Sequence, residues 1–356
     1  MKTTTIVLTL VSLVFSFCTC KAGQVVRRNR VRVVKTSKVN VRTWRRVGWR
    51  RKGPVIIRRS VTRRSVTAVN PQNSGTNDAP SSPGKAGDTV YDLTYASRSG
   101  FDQKYTSLDV YPLEGEGSKV AVFVHGGSWQ KGDKSNLEKA PDFVPMFQEM
   151  GYAVVSINHR LWPDVTYKEQ SEDISSALLW VKENMADYGA ACDAVTLMGY
   201  SSGAHLVALV GTDHSYIKAV GLDISFIENV ICFDCLYDLP RVIETCHSFN
   251  YPAAEKNIPE VFGSDSAGLE AASPVYHLAE GMQYPRFLVL WAYDQGGKET
   301  ELSKDQSEFF VQCLQYVGAD AKVDGWYDET HSSLVMELGS AGDEPTKVVK
   351  EFLQSK

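Results

Sequence analysis

The chain has 356 residues, 43% hydrophobic and 22% charged, enough for one large domain or two small ones, which excludes a chain too small to bury a core. The net charge of −4 hides an asymmetry: 18 of the 38 Lys and Arg precede Asp78 and no Asp or Glu does, leaving 20 basic residues against 42 acidic ones. A basic arm therefore precedes an acidic body.

The chain opens on one lysine and an apolar run from Ile6 to Phe17. That run is shorter than the roughly 20 residues a membrane-spanning helix needs. Compact residues follow, with Cys20 and Ala22 placed as a cleavage site. This pattern predicts a secretory signal peptide over 1–22, a secreted or extracytoplasmic protein, and no transmembrane segment in the mature chain. Residues 23–67 form an Arg-rich arm with Trp44 and Trp49. Without acidic residues to neutralise it, the arm is expected to be disordered, and 24–66 is a candidate contact for a polyanion or a cell surface. Residues 68–87 are a Pro/Gly/Ser/Asn linker, and 88–356 is the folded body.

In the body, "YTSLDVYP" alternates with period two, while "KVAVFV", "GYAVVSI", "AVTLMGY", "NVICFDC" and "RFLVLWAYD" are continuous apolar runs. Residues 167–188 carry apolar side chains at helical spacing; "AHLVALVG", "LSKDQSEFFVQCLQYVGA" and "EPTKVVKEFLQ" are further helices, and "AKVDGWY" is a late strand. Strands alternating with helices predict an α/β fold with a mostly parallel sheet covered on both faces. Beyond the leader, Cys192, Cys232, Cys235, Cys246 and Cys313 are odd in number, so at least one is not paired within the chain. Cys232 and Cys235 have no second ligand pair to complete a metal site, and are expected as buried thiols.

One junction carries chemistry. "AVTLMG" ends a strand, "SGAHLVAL" begins a helix, and Gly199 and Gly203 flank Ser201 at i−2 and i+2. A G-x-S-x-G turn between strand and helix is the nucleophile elbow, which predicts Ser201 as nucleophile. Ser202 follows at the helix N-terminus, where backbone N–H groups lack partners and can receive an oxyanion. His125-Gly126-Gly127, after another strand, predicts further oxyanion donors in Gly126 and Gly127. His331, after the last strand, lies where the chain order Ser–Asp–His puts the base. The orienting carboxylate is expected from Asp294, at the end of "RFLVLWAYD"; Asp234, ending "VICFD", is the rival. Trp129 and Trp162 are candidates for the pocket wall.

Together these residues resemble the α/β-hydrolase fold over about 90–356. "LDVYP", "VFVHGGSWQKGDK", "SINHRL", "MGYSSGAHLVAL" and "ETHSSLVMELG" resemble the carboxylesterase branch with a His-Gly-Gly-x-Trp turn, which includes feruloyl-esterase-like enzymes, arylformamidases and prenylcysteine methylesterases. The resemblance implies a Ser201–Asp294–His331 triad that hydrolyses a small carboxylic ester through an acyl-enzyme, with no metal or organic cofactor. Two alternatives stand beside it: hydrolysis of an N-formyl amide, and a polyanion-binding surface protein with an incidental hydrolase fold. Ser202 replaces the usual Ala, and His159 replaces a commoner Tyr.

Overall fold

The structure, a computed structural model, describes residues 87–113, 119–190, 192–294 and 300–355. The expected leader and basic arm, and the linker up to residue 86, lie outside the described residues. In chain order the elements are β1 (Val90–Thr94), β2 (Ser107–Tyr111), β3 (Lys119–Val124), α1 (Phe143–Glu149), β4 (Tyr152–Ile157), α2 (Tyr167–Asn184), β5 (Val195–Tyr200), α3 (Ser202–Thr212) and α4 (His214–Ala219). Then come β6 (Ile227–Phe233), α5 (Leu239–Thr245), α6 (Ala254–Phe262), α7 (Ser266–Ala272), β7 (Arg286–Asp294), α8 (Leu302–Tyr316), β8 (Ala321–Thr330), α9 (Ser333–Met336) and α10 (Glu344–Gln354). Among the described residues no helix is long and apolar enough to cross a membrane.

The continuous apolar runs are strands buried on both sides. Along β3, Val120, Val122 and Val124 enter one core while Ala121 and Phe123 enter the other. The same alternation divides Val230 and Cys232 from Ile231 and Phe233 on β6, and Phe287 and Val289 from Leu288 and Leu290 on β7. A period of two with no polar side forces helices onto both faces. The first core is closed by α2, α3 and α8, the second by α1, α9 and α10.

The eight strands lie in the order β1-β2-β4-β3-β5-β6-β7-β8. The pairs β1–β2 and β2–β4 are antiparallel, and all later neighbours run parallel. This is the α/β-hydrolase arrangement. It brings the C-terminal ends of β5, β6, β7 and β8 to one rim of the sheet. Helix α3 is buried at every residue, so the turn that launches it from β5 is held from all sides. Helix α2 begins with a capping box in which Thr166 and Glu169 each satisfy the other's backbone end.

Candidate active site

The turn from β5 into α3 holds Ser201 at φ 54°, ψ −126°, outside the ordinary regions for a residue with a side chain. The flanking glycines are required by close approach. A Cβ on Gly199 would stand 2.3 Å from the Gly203 carbonyl oxygen, and one on Gly203 would stand 2.3 Å from that of Val124. Ser201 occupies the N-cap position of α3, yet its side chain makes no capping hydrogen bond. The hydroxyl is therefore not spent on the helix end, the commonest structural task for a serine there.

Three residues at neighbouring strand ends extend the sheet's ladder. The Ser201 N–H donates to the Phe233 carbonyl at 2.9 Å, the Asp234 N–H to that of Leu290 at 2.9 Å, and the His331 N–H to that of Asp294 at 2.7 Å. This ladder brings both candidate aspartates beside the histidine. Asp234, at φ 59°, turns its side chain to His331, and Nδ1 donates to Oδ2 at 2.7 Å. The expectation for Asp294 is corrected here. Asp294 meets His331 through its main-chain carbonyl oxygen, whereas the carboxylate at the imidazole belongs to Asp234. The Asp234 side chain is fully buried, and its second oxygen accepts from the Ser303 hydroxyl on α8. The His331 side chain is 25% exposed, and its ring lies 4.9 Å from that of Tyr200.

The turn after β3 runs through positive φ at Gly127, Ser128 and Trp129. The main-chain oxygen of Trp129 accepts from the Trp162 N–H at 2.9 Å and the Gln170 amide at 2.7 Å. Its indole N–H donates to His205 Nδ1 at 3.2 Å, and His205 Nε2 donates onward to the Ala272 carbonyl at 2.8 Å. His205 is therefore a buried bridge. His125 donates from Nδ1 to the Gly126 carbonyl at 2.9 Å and stacks on His159 at 4.5 Å. Burial, and then the neighbouring His159, lower the His125 pKa to about 3; burial lowers that of His159 to about 4. Both rings are neutral near pH 7, and His125 stands close against Gly132.

Ser201, Ser202, Asp234 and His331 line one cavity of about 510 Å³. Of the expected oxyanion donors, Gly127 and Ser202 line it, whereas buried Gly126 stands behind: a Cβ there would lie 2.7 Å from that of Ser201. Trp129 lines the cavity. Trp162 does not; it packs against the core and touches the site through its main chain, which corrects its expected place in the pocket wall. Buried Ala254, Ile258 and Val261 of α6 give the cavity an apolar side, and exposed Gln130, Lys131, Asn257 and Glu260 edge it. Sequence reasoning missed Ser303, which also lines the cavity, and Gln170; their polar side chains on long helices gave no motif to find them by.

The five described cysteines are free thiols, all buried except half-exposed Cys192. Burial pushes the Cys235 thiol up to about 12 and that of Cys232 higher still, as suits structural groups.

Comparisons with known proteins agree with this architecture. The chain is 30% identical over 209 residues to esterase LipQ of Mycobacterium tuberculosis, covering 58% of this chain and 48% of that protein. It is 26% identical over 246 residues to the isoprenylcysteine alpha-carbonyl methylesterase ICME of Arabidopsis thaliana, covering 66% of this chain and 56% of the relative. The chain thus spans about half the length of the curated relatives it matches. Among solved structures, esterase B from Lactobacillus rhamnosis shares the fold at a TM-score of 0.61 and 18% identity, over 76% of this chain and 85% of its own. A truncated form of a carbohydrate esterase from gut microbiota does so at a TM-score of 0.57 and 17% identity, over 76% of this chain and 98% of that form. Residues 108–314, more than half of the sequence, match the family described as BD-FAE, and the chain belongs to that family.

Proposed function

We propose that this chain is a serine hydrolase of carboxylic esters, working through an acyl-enzyme on Ser201. The observation that carries this is the 2.7 Å bond between His331 Nδ1 and the buried Asp234 carboxylate, beside a strained, uncapped serine on the same cavity. With Nδ1–H committed to Asp234, the imidazole presents Nε2 as the base. Ser201 Oγ attacks the ester carbonyl while Nε2 takes its proton. The main-chain N–H groups of Gly127 and Ser202 receive the oxyanion, each such donor being worth roughly 3–4 kcal/mol. Collapse of the intermediate breaks the bond to the leaving alcohol, which leaves with the His331 proton. Water then repeats the sequence on the acyl-enzyme and releases the acid. The esterases among the relatives support the ester class.

The test is hydrolysis of short-chain p-nitrophenyl esters by the wild-type chain and Ser201→Ala. Ser201→Ala is expected to lower turnover on the order of a million-fold. A loss of less than about ten-fold, in folded protein, rejects Ser201 as the nucleophile.

A further inference from the structure

We propose that Ser303 is a positioning residue for the Asp234 carboxylate, so that the first turn of α8 acts as a fourth part of the catalytic apparatus. This rests on the assignment of Asp234 as the carboxylate that orients His331. Asp234 leaves β6 at positive φ with its own N–H tied to β7, so its main chain is fixed. Its carboxylate is not fixed by that. A carboxylate held at one oxygen still turns about its last torsion, and that torsion is broad. Ser303 restrains it by donating its hydroxyl to Oδ1 while Oδ2 holds His331 Nδ1. Ser303 is 4% exposed and Asp234 1%, so the bond is largely shielded from water.

Two further features aim α8 at this task. Ser303 is the second residue of a 15-residue helix, where unpaired N–H groups and the positive end of the helix dipole favour a carboxylate. One turn later, the buried Gln306 side-chain oxygen accepts the N–H groups of Tyr237 at 3.0 Å and Asp238 at 2.9 Å. The same face of α8 thus grips both the carboxylate and the chain that follows it.

The hydrogen bond has an electrostatic consequence as well. Donation to Oδ1 draws negative charge away from the imidazole. Without it, more negative charge faces the imidazolium that forms on His331 during the reaction. A serine that only packs the helix end leaves the pH profile of kcat/KM unmoved.

The experiment measures kcat, KM and the pH dependence of kcat/KM on p-nitrophenyl acetate for the wild-type chain, Ser303→Ala, Ser303→Thr, Asp234→Ala and the Ser303→Ala/Asp234→Ala double variant. Ser303→Ala is expected to lower kcat about ten- to hundred-fold, the range of one charge-assisted hydrogen bond, with KM little changed. The acidic limb of its pH profile moves, Ser303→Thr recovers most of the kcat, and Ser303→Ala adds no loss on top of Asp234→Ala. Wild-type kcat and an unmoved limb in Ser303→Ala, beside a loss of a thousand-fold or more in Asp234→Ala, overturn the role of Ser303 alone. Near wild-type activity in Asp234→Ala overturns the assignment of Asp234 and the role of Ser303 with it. Should Ser303→Ala not fold, Ser303→Cys keeps the size and supplies only a weak donor. Its kcat falls and its limb moves if Ser303 positions Asp234, and neither changes if it does not.

Discussion

Asp234 and Asp294 end neighbouring parallel strands, and both reach His331, one by its side chain and the other by its main chain. The sequence makes them hard to separate, since each closes an apolar run in front of a loop. The adjacency of β7 and β8 favours Asp294. Adjacency does not set side-chain direction, however. The turn at Asp234, which needs a positive φ, and the hydroxyl on α8 decide it, and neither leaves a signature in the strand sequence. The two roles predict opposite sensitivities. Asp234→Ala removes the partner of Nδ1 and is expected to lower kcat/KM about ten-thousand-fold. Asp294→Ala keeps the carbonyl that accepts from His331 and is expected to cost less than about ten-fold. Measuring both variants side by side on one ester decides the assignment, and a larger loss at Asp294 returns the role to β7.

At the scale of elements, α2 secures the Trp129 turn and the loop after β4 through side chains one turn apart. Gln170 holds the Trp129 carbonyl, and Asp173 holds Arg160, at 2.7 and 2.9 Å through the guanidinium and 3.1 Å through the main-chain N–H. Asp173 also accepts from Arg98 at 3.1 Å, and its side chain is fully buried. Truncating it leaves the Arg160 guanidinium, itself 9% exposed, without its paired carboxylate. Asp173→Ala is therefore expected to destabilise the fold by about 3–5 kcal/mol, read from the urea midpoint, while ester turnover per folded molecule changes far less. A shift below about 1 kcal/mol contradicts this account of the ion pair. The longest elements are legible because their patterns are strong: α2 carries Ile174, Ala177, Leu178 and Val181 on one face, and β3 and β4 are apolar but for Lys119 and Ser156. The stretch from 236 to 284 is not. It holds three helices of seven to nine residues, and in α6 the helical spacing of Ala254, Ile258, Val261 and Phe262 is interrupted in the sequence by Pro259. Short helices at a cavity edge take their stability from the surfaces they cover, which a local pattern does not record.

The molecule as a whole carries a pH dependence set by its buried histidines. Burial lowers the pKa of His125 to about 3 and those of His159 and His205 to about 4, against an ordinary 6.5. In the unfolded chain the same rings take up protons as pH falls through about 6.5. Between that value and about 4 the unfolded state therefore binds up to three more protons than the native state at these sites. Stability is full above the unfolded value and is lost as pH falls through this window, by up to ~1.4 kcal/mol per pH unit for each histidine. The urea midpoint is accordingly expected to fall steeply from pH 7 to pH 4.5. Carboxylates also contribute near the acid end, so the decisive quantity is a difference between variants. His159→Phe keeps an aromatic ring against His125 and removes one titrating group. It is expected to reduce the slope of stability against pH by one proton's share while leaving the other two. An unchanged slope in folded His159→Phe means that the native ring is not held neutral, and the account of the stacked His125–His159 pair as uncharged then fails.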